Sequence, residues 1–411
     1  MNIWLINHYA VPPKYYPLAR QTYFAKYLMQ MGHQVTIFAA STVHNSNQNL
    51  IEDGTPYREE IVDGVSYVYI KCHHYQGSGI KRIYNICEFA WKLPGVCKHF
   101  AKPDAIVATS MPPTSCAVGI HLARKYGCRG IAEIADLWPE SIVAYGIAGP
   151  NNPAVIALRW LEKWIYKKAH AIVFTMEGAY DYIVEQGWEK AIPRSKVHYI
   201  NNGVDLELFR ANQTNYTLDD DDLNNPDIIK IGYTGSIRKA NNIGMLLDVA
   251  KTIKNPNVRF LIWGAGEEEA MLKQRVIDEH ITNVVFKGRV EKKYVPYITS
   301  HVDINYVDPF DEVIARYGIS SNKLFDYFAA GKPILMGFSG RHNPAEPYGC
   351  AVVCEPNAQA LHKGLLRMMD MPEKQYQKMC DGAKKAAEKY NFFNLTAMLL
   401  DVIEQEAKES I

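Results

Sequence analysis

Short apolar segments alternate with longer amphipathic segments along most of this chain, and the pattern runs twice. The first series begins at Ile3–Ile6, and the second begins at Ile228–Tyr233. Alternation of this kind is typical of a parallel sheet with helices on both faces. Because 411 residues exceed one ordinary core, the pattern predicts two doubly wound α/β domains. Between them, 212–226 is polar and carries four consecutive aspartates, which we expect to form a solvated loop.

Charge and cysteine content narrow the class of protein. Residues 1–200 hold 20 basic and 15 acidic residues, although the whole chain has a net charge of only +1. This balance argues against nucleic acid as the main ligand. The eight cysteines form no C-x-x-C pair and no zinc-like cluster, so we expect reduced thiols and no metal site. With no leader and no apolar run of about 20 residues, we expect a cytoplasmic protein whose membrane contact is peripheral.

The segment 318–336 holds the strongest candidate for an anion site. Serines suited to cap a helix precede good helix formers, and Gly331 marks the end of that helix. Asn322, Lys323 and Asp326 would share one face near the N-terminal turn, where free amides attract phosphate. An ammonium for phosphates and a carboxylate for ribose hydroxyls suit a nucleoside diphosphate. From this segment alone, a solvated helix N-terminus is an equally good interpretation.

Loops at neighbouring strand ends of the second half add glycines and positive charge. A lone Gly-x-Gly is weak evidence, because helix packing alone can require it. Several such loops together are stronger, because they would converge on one anionic ligand at the carboxyl edge of the sheet. The residues concerned are Gly235, Ser236, Arg238, Lys239, Gly264 and Arg289.

The first half offers candidates for acid or base chemistry and for acceptor binding. Asp136 and Glu140 directly follow a predicted strand, where folds of this class place their chemistry. Trp138 lies between them, where a sugar could stack. Asp136 could instead cap the helix that follows. His8 and Arg20 flank the loop after the first strand and are acceptor-binding candidates, although such residues are more often structural.

Residues 80–102 combine lysine and arginine with aromatic and aliphatic side chains at helical spacing. Such a stretch can lie in a membrane interface, but a helix packed on the sheet with a basic edge explains it equally well. The similar stretch 159–168 precedes a strand directly, so we interpret it as a helix packed on the sheet.

Several motifs together resemble retaining glycosyltransferases of family 4, also called group 1, and especially the bacterial subgroup that builds surface polysaccharide on lipid carriers. They extend over nearly the whole length. The motifs are Ser110-Met111-Pro112-Pro113, Asp136-Leu137-Trp138-Pro139-Glu140-Ser141, Asn202-Gly203-Val204-Asp205, Gly235-Ser236 and Ser321-Asn322-Lys323-Leu324-Phe325-Asp326. The resemblance implies the GT-B fold, with two Rossmann-like domains facing each other across a cleft. It gives boundaries of 1–203, 204–390 and a C-terminal helix, 391–411, that returns to the first domain.

The resemblance also implies the roles of individual residues. Asp326 stands where the second glutamate of an E-x7-E pattern binds ribose, and the first glutamate falls at Gly318. Lys239 resembles a lysine of the nucleotide domain, and Val290 lies where main-chain groups meet the base. Ser321, Leu324 and the strand-end loops complete the predicted nucleotide-sugar site. Asp136, Glu140 and Lys323 are the predicted catalytic residues, with Ala135 where an arginine is common.

We therefore expect a hexosyl- or N-acetylhexosaminyl-transferase whose donor is a nucleotide sugar. The resemblance favours a UDP-sugar as this donor, and we expect no metal cofactor. The expected acceptor is a polyprenyl-diphosphate-linked saccharide of O-antigen, capsule or related glycan synthesis. The expected location is the inner face of the cell membrane, reached through 80–102. Two alternatives remain open: a sugar-nucleotide epimerase or hydrolase of the same fold, and a catalytically silent nucleotide-binding subunit.

Overall fold

A computed structural model describes residues 1–15, 20–44, 46–77, 79–308 and 312–405, with the side chains of 312 and 313 not described. The chain forms two compact units. The N-terminal unit comprises Met1–Asn201 and the segment from Phe392 onward, and the C-terminal unit comprises Asn202–Asn391. The predicted boundaries, 203 and 390, differ from these by two residues and one. The predicted C-terminal helix, 391–411, includes residues 406–411, which lie outside the described residues.

The N-terminal unit is built on an eight-stranded sheet in the order β3-β4-β2-β1-β5-β6-β7-β8, with β3 antiparallel to β4 and the other neighbouring pairs parallel. The central strands are buried on both faces, which is why they read as continuous apolar runs. The strands are β1 Asn2–Ile6, β2 Gln34–Ala40, β3 Tyr57–Val62, β4 Val65–Ile70, β5 Ala105–Thr109, β6 Arg129–Ile134, β7 Ala171–Phe174 and β8 Val197–Tyr199.

Helices cover this sheet. The helices within Met1–Asn201 are α1 Arg20–Gln30, α2 Ile80–Val96, α3 Pro113–Tyr126, α4 Trp138–Ala144, α5 Pro153–Lys168 and α6 Ala179–Glu185. Both α2 and α5 pack against α3. The C-terminal helix, Phe392–Glu404, packs on α1, where Phe392 meets the rings of Tyr23 and Phe24.

The C-terminal unit contains a six-stranded parallel sheet in the order β11-β10-β9-β12-β13-β14. Its strands are β9 Ile229–Thr234, β10 Val258–Trp263, β11 Val284–Gly288, β12 Ile304–Val307, β13 Ile334–Gly337 and β14 Ala351–Cys354. Its helices are α7 Leu206–Asn215, α8 Asp221–Asn224, α9 Ile243–Ala250, α10 Glu269–Asp278, α11 Val295–His301, α12 Glu312–Ala315, α13 Asn322–Ala330, α14 Ala358–Met369 and α15 Glu373–Lys389. The C-terminal helix, the last in chain order, is therefore α16.

Two local features differ from the sequence-based expectations. The antiparallel strand β3 was not predicted, because its alternating exposed side chains at the sheet edge leave no apolar signal. The two-residue turn Asp63-Gly64, with both φ angles positive, joins it to β4. The acidic stretch is not the loose loop we expected, because Asp220 caps α8 and the Lys287 ammonium lies 2.8 Å from Asp220 and 2.6 Å from Asp222. A central cation offsets the like-charge repulsion.

A buried ion pair fastens the end of the N-terminal sheet to the chain that leaves it. Arg20 Nε donates to the Glu133 carboxylate at 2.9 Å, and its Nη atoms donate to the carbonyls of Ile200 at 2.8 Å and Asn201 at 2.6 Å. Glu133, with its side chain 1% exposed, also accepts from Gln21 and Thr109. One guanidinium thus joins α1, β6 and the last residues of the segment Met1–Asn201.

We predict that Arg20→Ala lowers the free energy of unfolding of the N-terminal unit by about 3–5 kcal/mol, because it leaves the Glu133 carboxylate buried without its cation. Urea titration followed by circular dichroism measures the loss. Lys14→Ala is the matched control: the Lys14–Glu60 pair is exposed, and its removal should cost under about 1 kcal/mol. Equal losses of stability in the two variants would contradict a stabilising role for the buried Arg20–Glu133 ion pair.

Candidate active site

Two loops at the carboxyl edge of the C-terminal sheet are joined through their backbones. Gly235 N donates to Trp263 O at 3.0 Å, and Ile237 N donates to Ala265 O at 3.0 Å. A Cβ on Gly264 would lie 1.9 Å from Gly235 O, and one on Gly266 would lie 2.1 Å from Ile237 O. Backbone contact therefore requires glycine at 264 and 266, and the loops after β9 and β10 form one surface.

Lys323 of α13 lies against this surface. A Cβ on Gly235, whose φ is +152°, would lie 2.9 Å from the Tyr233 hydroxyl and 3.1 Å from Lys323 Cε. Lys323 Nζ donates to the Tyr233 hydroxyl at 3.0 Å and to Asn241 Oδ1, and it lies 4.7 Å from the centre of the Tyr233 ring. Burial lowers the pKa of Lys323 to about 7, partly opposed by attraction to Asp308.

Helix α13 begins at Asn322 and ends before Gly331, whose φ of +65° gives the left-handed C-cap that the sequence predicted. Ser321 occupies the N-cap position but its side chain makes no capping hydrogen bond. Asn322 is exposed, Leu324 packs in the core, and Asp326 is largely buried and pairs with Lys292. The polar face predicted for this helix thus divides into an exposed amide, a half-buried ammonium and a mostly buried carboxylate.

The remaining predicted donor residues surround the joined loops. Ser236, Arg238, Lys239 and Arg289 are exposed, so the cations of this edge reach solvent. Val290 is partly buried and packs against the cluster that contains Trp263. The edge combines joined glycine loops, exposed cations and one half-buried ammonium, an arrangement that suits a phosphorylated ligand.

Gly318, at the predicted position of the first glutamate, has a φ of +123°. L-residues rarely adopt this conformation, so a glutamate there would strain the backbone. The local backbone conformation therefore disfavours a glutamate at this position.

The sequence missed three side chains at this edge: Asn241, Lys292 and Asp308. Asp308 directly follows β12, so the strand-end rule that selected Arg238 and Arg289 could have found it. Lys292 gave no comparable signal, because its contact with Asp326 joins residues 34 positions apart.

In the N-terminal unit, Asp136 and Trp138 line a small depression beside α5. Its lining residues are Ser110, Pro113, Asp136, Trp138, Pro139, Leu158, Glu162, Ile165 and Tyr166. Asp136 reaches solvent at this depression, and desolvation by the surrounding protein atoms raises the pKa of its carboxyl group. The depression brings together a carboxyl group with raised proton affinity and an indole ring.

Glu162, which the sequence did not single out, lines the same depression. Its carboxyl group accepts hydrogen bonds from the hydroxyls of Tyr166 and Tyr182, each at 2.6 Å, and burial raises its pKa to about 7. It was missed because 159–168 was interpreted as a helix packed on the sheet. That interpretation is correct for the face that carries Glu162, Ile165 and Tyr166, which are buried.

The side chains of the other three candidates in the first half form hydrogen bonds or ion pairs with other protein groups. Glu140 forms a two-point ion pair with Arg159, at 2.8 Å and 3.0 Å, so it is not poised as an unpaired base. Arg20 is committed to Glu133 and to two carbonyls, which opposes the predicted acceptor role. His8 is fully buried, its Nε2 lies 2.7 Å from Asn85 Oδ1, and burial lowers its pKa to about 3. These placements favour structural roles for Arg20 and His8.

Comparison with known families gives two matches. Residues 21–208 match the model described as Glycosyltransferase Family 4, and residues 229–371 match the model described as Glycosyl transferases group 1. The first match lies almost wholly in the N-terminal unit, and the second lies within the C-terminal unit.

The sequence of this chain is also similar to those of named bacterial proteins. The chain is 24% identical to WcaI of Escherichia coli K12, named for colanic acid biosynthesis, over 85% of this chain and 87% of WcaI. It is 29% identical to TuaH of Bacillus subtilis strain 168, named for teichuronic acid biosynthesis, over 143 residues. That match covers 34% of each chain, so it spans about a third of TuaH. Both relatives are named as glycosyltransferases.

Solved structures share the fold at low identity. Sucrose-phosphate synthase of Thermosynechococcus elongatus has a TM-score of 0.73 and 16% identity, covering 98% of both chains. Anabaena HepE in complex with UDP and glucose has a TM-score of 0.66 and 13% identity, covering 99% of this chain and 100% of HepE. The two parallel-sheet α/β domains are those of the GT-B fold, which confirms the predicted fold class. The predicted enzyme class, a glycosyltransferase, is confirmed by the family matches and the named relatives.

We predict that Gly264→Ala weakens binding of UDP about 5–150-fold, because the new methyl group must force the two joined loops apart, and overpacking of this kind costs about 1–3 kcal/mol. Isothermal titration calorimetry measures the affinity. Gly54→Ala is the control, because nothing lies within 4 Å of a Cβ at Gly54. Wild-type affinity in Gly264→Ala would show that the loop contact is not part of the ligand site.

Proposed function

We propose that this chain, a glycosyltransferase with a family 4 domain and a group 1 domain, transfers a sugar from a UDP-sugar to a polyprenyl-diphosphate-linked saccharide in bacterial polysaccharide synthesis, with retention at the anomeric carbon. The donor sugar in this proposal is a hexose or an N-acetylhexosamine. The observation that carries the proposal is the contact of Lys323 with the loop after β9, which backbone hydrogen bonds join to the loop after β10. The names of WcaI and TuaH support polysaccharide synthesis as the setting.

The donor is proposed to bind at the carboxyl edge of the C-terminal sheet. Lys323, Arg238 and Lys239 would meet the diphosphate, with Asn322 and the backbone amides near Ser321 completing the cradle. The Asp326 carboxylate would accept from the ribose hydroxyls, replacing its contact with Lys292. A bound UDP in HepE, which shares this fold, supports uridine as the base.

The acceptor hydroxyl is proposed to approach beside Asp136 and Trp138. A carboxyl group with raised proton affinity can orient a hydroxyl and assist removal of its proton. Trp138 offers a ring on which a sugar can stack. Glu140, fixed by Arg159, would position the start of α4 rather than exchange protons.

In the proposed retaining transfer, the acceptor oxygen bonds to the anomeric carbon on the face from which the diphosphate departs. The bond from that carbon to the phosphate oxygen breaks, and the departing phosphate takes the acceptor proton. Side-chain cations and amides, without a metal ion, would stabilise the negative charge that develops on the diphosphate.

A membrane surface is the proposed location of the acceptor. Among the described residues, no helix combines the length and apolarity needed to cross a bilayer. Helix α2, however, exposes one apolar stripe opposite its buried face, formed by Ile80, Ile83, Tyr84, Cys87 and Trp91. Lys81 and Lys98 are exposed near it, whereas Arg82 binds the Tyr9 hydroxyl and Lys92 binds Glu88. An apolar stripe beside exposed lysines suits an anionic lipid interface.

Helix α5 extends this surface in the proposal. Trp160 is 77% exposed, and Ile156 and Trp164 are also exposed on the same side of the helix. Helices α2 and α5 both pack on α3, and we propose that their exposed apolar stripes contact the same membrane surface. The sequence-based interpretation of 159–168 as packed on the sheet therefore accounts for only one of its faces.

A pair of substitutions separates the two proposed sites. We expect Asp326→Ala to weaken UDP binding roughly 10–100-fold, because hydrogen bonds to charged groups contribute about 1.5–3 kcal/mol. Asp136→Ala should reduce transfer at least about 100-fold and leave UDP affinity unchanged. Calorimetry measures binding, and transfer from UDP-, GDP- and ADP-sugars to lipid-linked saccharide measures activity. Wild-type turnover by Asp136→Ala, or unchanged affinity in Asp326→Ala, would refute the corresponding role.

We expect the double variant Ile83→Ser, Trp91→Ser to bind vesicles of phosphatidylglycerol and phosphatidylethanolamine at least tenfold more weakly, because burying each side chain contributes about 1.5–3 kcal/mol. Cosedimentation measures the binding. The matched control is Met271→Ser, Ile277→Ser on α10, whose side chains are 58% and 65% exposed. Equal binding by the two double variants would exclude the α2 stripe as the docking surface.

A further inference from the structure

Asp308, directly after β12, carries a buried carboxyl group that has no role in the proposed reaction. It is 2% exposed. Its Oδ2 accepts from the Tyr306 hydroxyl at 3.0 Å and from Asn242 Nδ2 at 2.9 Å. Its Oδ1 is buried with no hydrogen-bond partner in the described part of the chain. A buried oxygen without a hydrogen-bond partner lowers the stability of the fold by about 1–3 kcal/mol. An uncharged side chain at this position would therefore stabilise the fold better than a carboxylate.

One short loop connects this carboxyl group to the ammonium of Lys323. Asn241 accepts from Lys323 Nζ, and the next residue, Asn242, donates to Asp308. Asn242 has φ and ψ near +45°, a left-handed conformation, and it directly precedes α9. Asn241 also donates to Ser236 O and Oγ, each at 2.9 Å. The carboxyl group, the ammonium and the loop after β9 therefore form one network.

We propose that Asp308 is a positioning residue of the donor site, which fixes the Asn241–Asn242 loop and supplies the negative charge that keeps Lys323 protonated for a nucleoside diphosphate. This inference rests on the proposed donor role of Lys323. It also supplies a carboxylate to a donor site whose predicted first glutamate is replaced by Gly318.

The charges around the two groups support this assignment. Burial lowers the pKa of Lys323 to about 7, and attraction to Asp308 is what opposes that fall. Burial also raises the pKa of Asp308 to about 7, opposed by its bonds to Tyr306 and Asn242 and by the charge of Lys323. Each group thus favours the charged form of the other near neutral pH.

The neighbouring titratable groups do not replace this interaction. The phenols of Tyr233 on β9, Tyr306 on β12 and Tyr327 on α13 have raised pKa values because of burial, so they stay uncharged near neutral pH. Asp326, on the same helix as Lys323, pairs with Lys292, and Asp248 on α9 pairs with Arg275. The exposed cations Arg238 and Lys239 lie on the loop itself.

The test compares UDP affinity of the wild type and Asp308→Asn by calorimetry from pH 6 to pH 9. The amide keeps an acceptor for the loop and removes the charge. In the wild type, affinity should fall as pH rises above about 7, because the diphosphate binds protonated Lys323. In Asp308→Asn that fall should move to lower pH. The ratio of wild-type to variant affinity should therefore rise from near 1 at pH 6 to about 3–10 at pH 8, equivalent to a shift of about half to one pKa unit.

Two further variants separate charge from loop structure. In a Lys323→Arg background the guanidinium stays charged, so Asp308→Asn should no longer change the pH profile. Ser236→Ala removes the Ser236 Oγ contact that holds Asn241 and keeps both hydrogen bonds to Asp308, so it should weaken binding equally at every pH. It also provides the loop comparison if Asp308→Asn lowers the melting temperature.

Each outcome decides between the proposals. A loss of affinity in Asp308→Asn that is the same at every pH would overturn the charge role of Asp308 while leaving the donor site intact. Failure of the folded wild type to bind UDP, GDP or ADP at pH 6 would overturn the donor site and this inference together. A displaced pH profile that disappears in the Lys323→Arg background would support the inference.

Discussion

The proposed donor site at the carboxyl edge of the C-terminal sheet depends on a direct contact between two backbones. Strand β10 lies beside β9, and the loops that follow them approach so closely that Gly235 O occupies the space a Cβ on Gly264 would need. Because both loops are held by backbone hydrogen bonds, neither can move without the other. This rigidity gives Lys323 a fixed surface to pack against and sets the positions of Asn241 and Ser236. A site for a highly charged ligand needs such preorganisation, since flexible cations lose part of their interaction energy as conformational entropy.

Much of this fold could be predicted from the sequence because its signals are local. The apolar strands are buried on both faces, and Gly331 ends α13 as its position suggested. The antiparallel strand β3 escaped because an edge strand has no continuous apolar face. The acidic stretch was misjudged because its neutralising cation, Lys287, lies more than 60 positions away in the sequence.

The candidate sites show the same limit more clearly. Sequence position selected Asp136 just after a strand and Lys323 in the first turn of α13, and their roles remain predictions. Position in the sequence could not distinguish a side chain that is available to a ligand from one that is already bound to other protein groups. Arg20 and Glu140 had suitable chemistry, but their partners, Glu133 and Arg159, are brought to them only by the tertiary structure. Asp308 and Glu162 were missed for the converse reason, because their unusual environments arise from burial that no local pattern reports.

Gly318 bears on how this chain could change over evolutionary time. Its φ of +123° means that the backbone, and not only the side chain, differs from what a glutamate would require. A single substitution to glutamate would therefore strain the loop rather than restore the family's carboxylate, and the backbone would have to change first. A glutamate at this position requires two coordinated changes, one of the backbone and one of the side chain, and such a pair is seldom reached one substitution at a time.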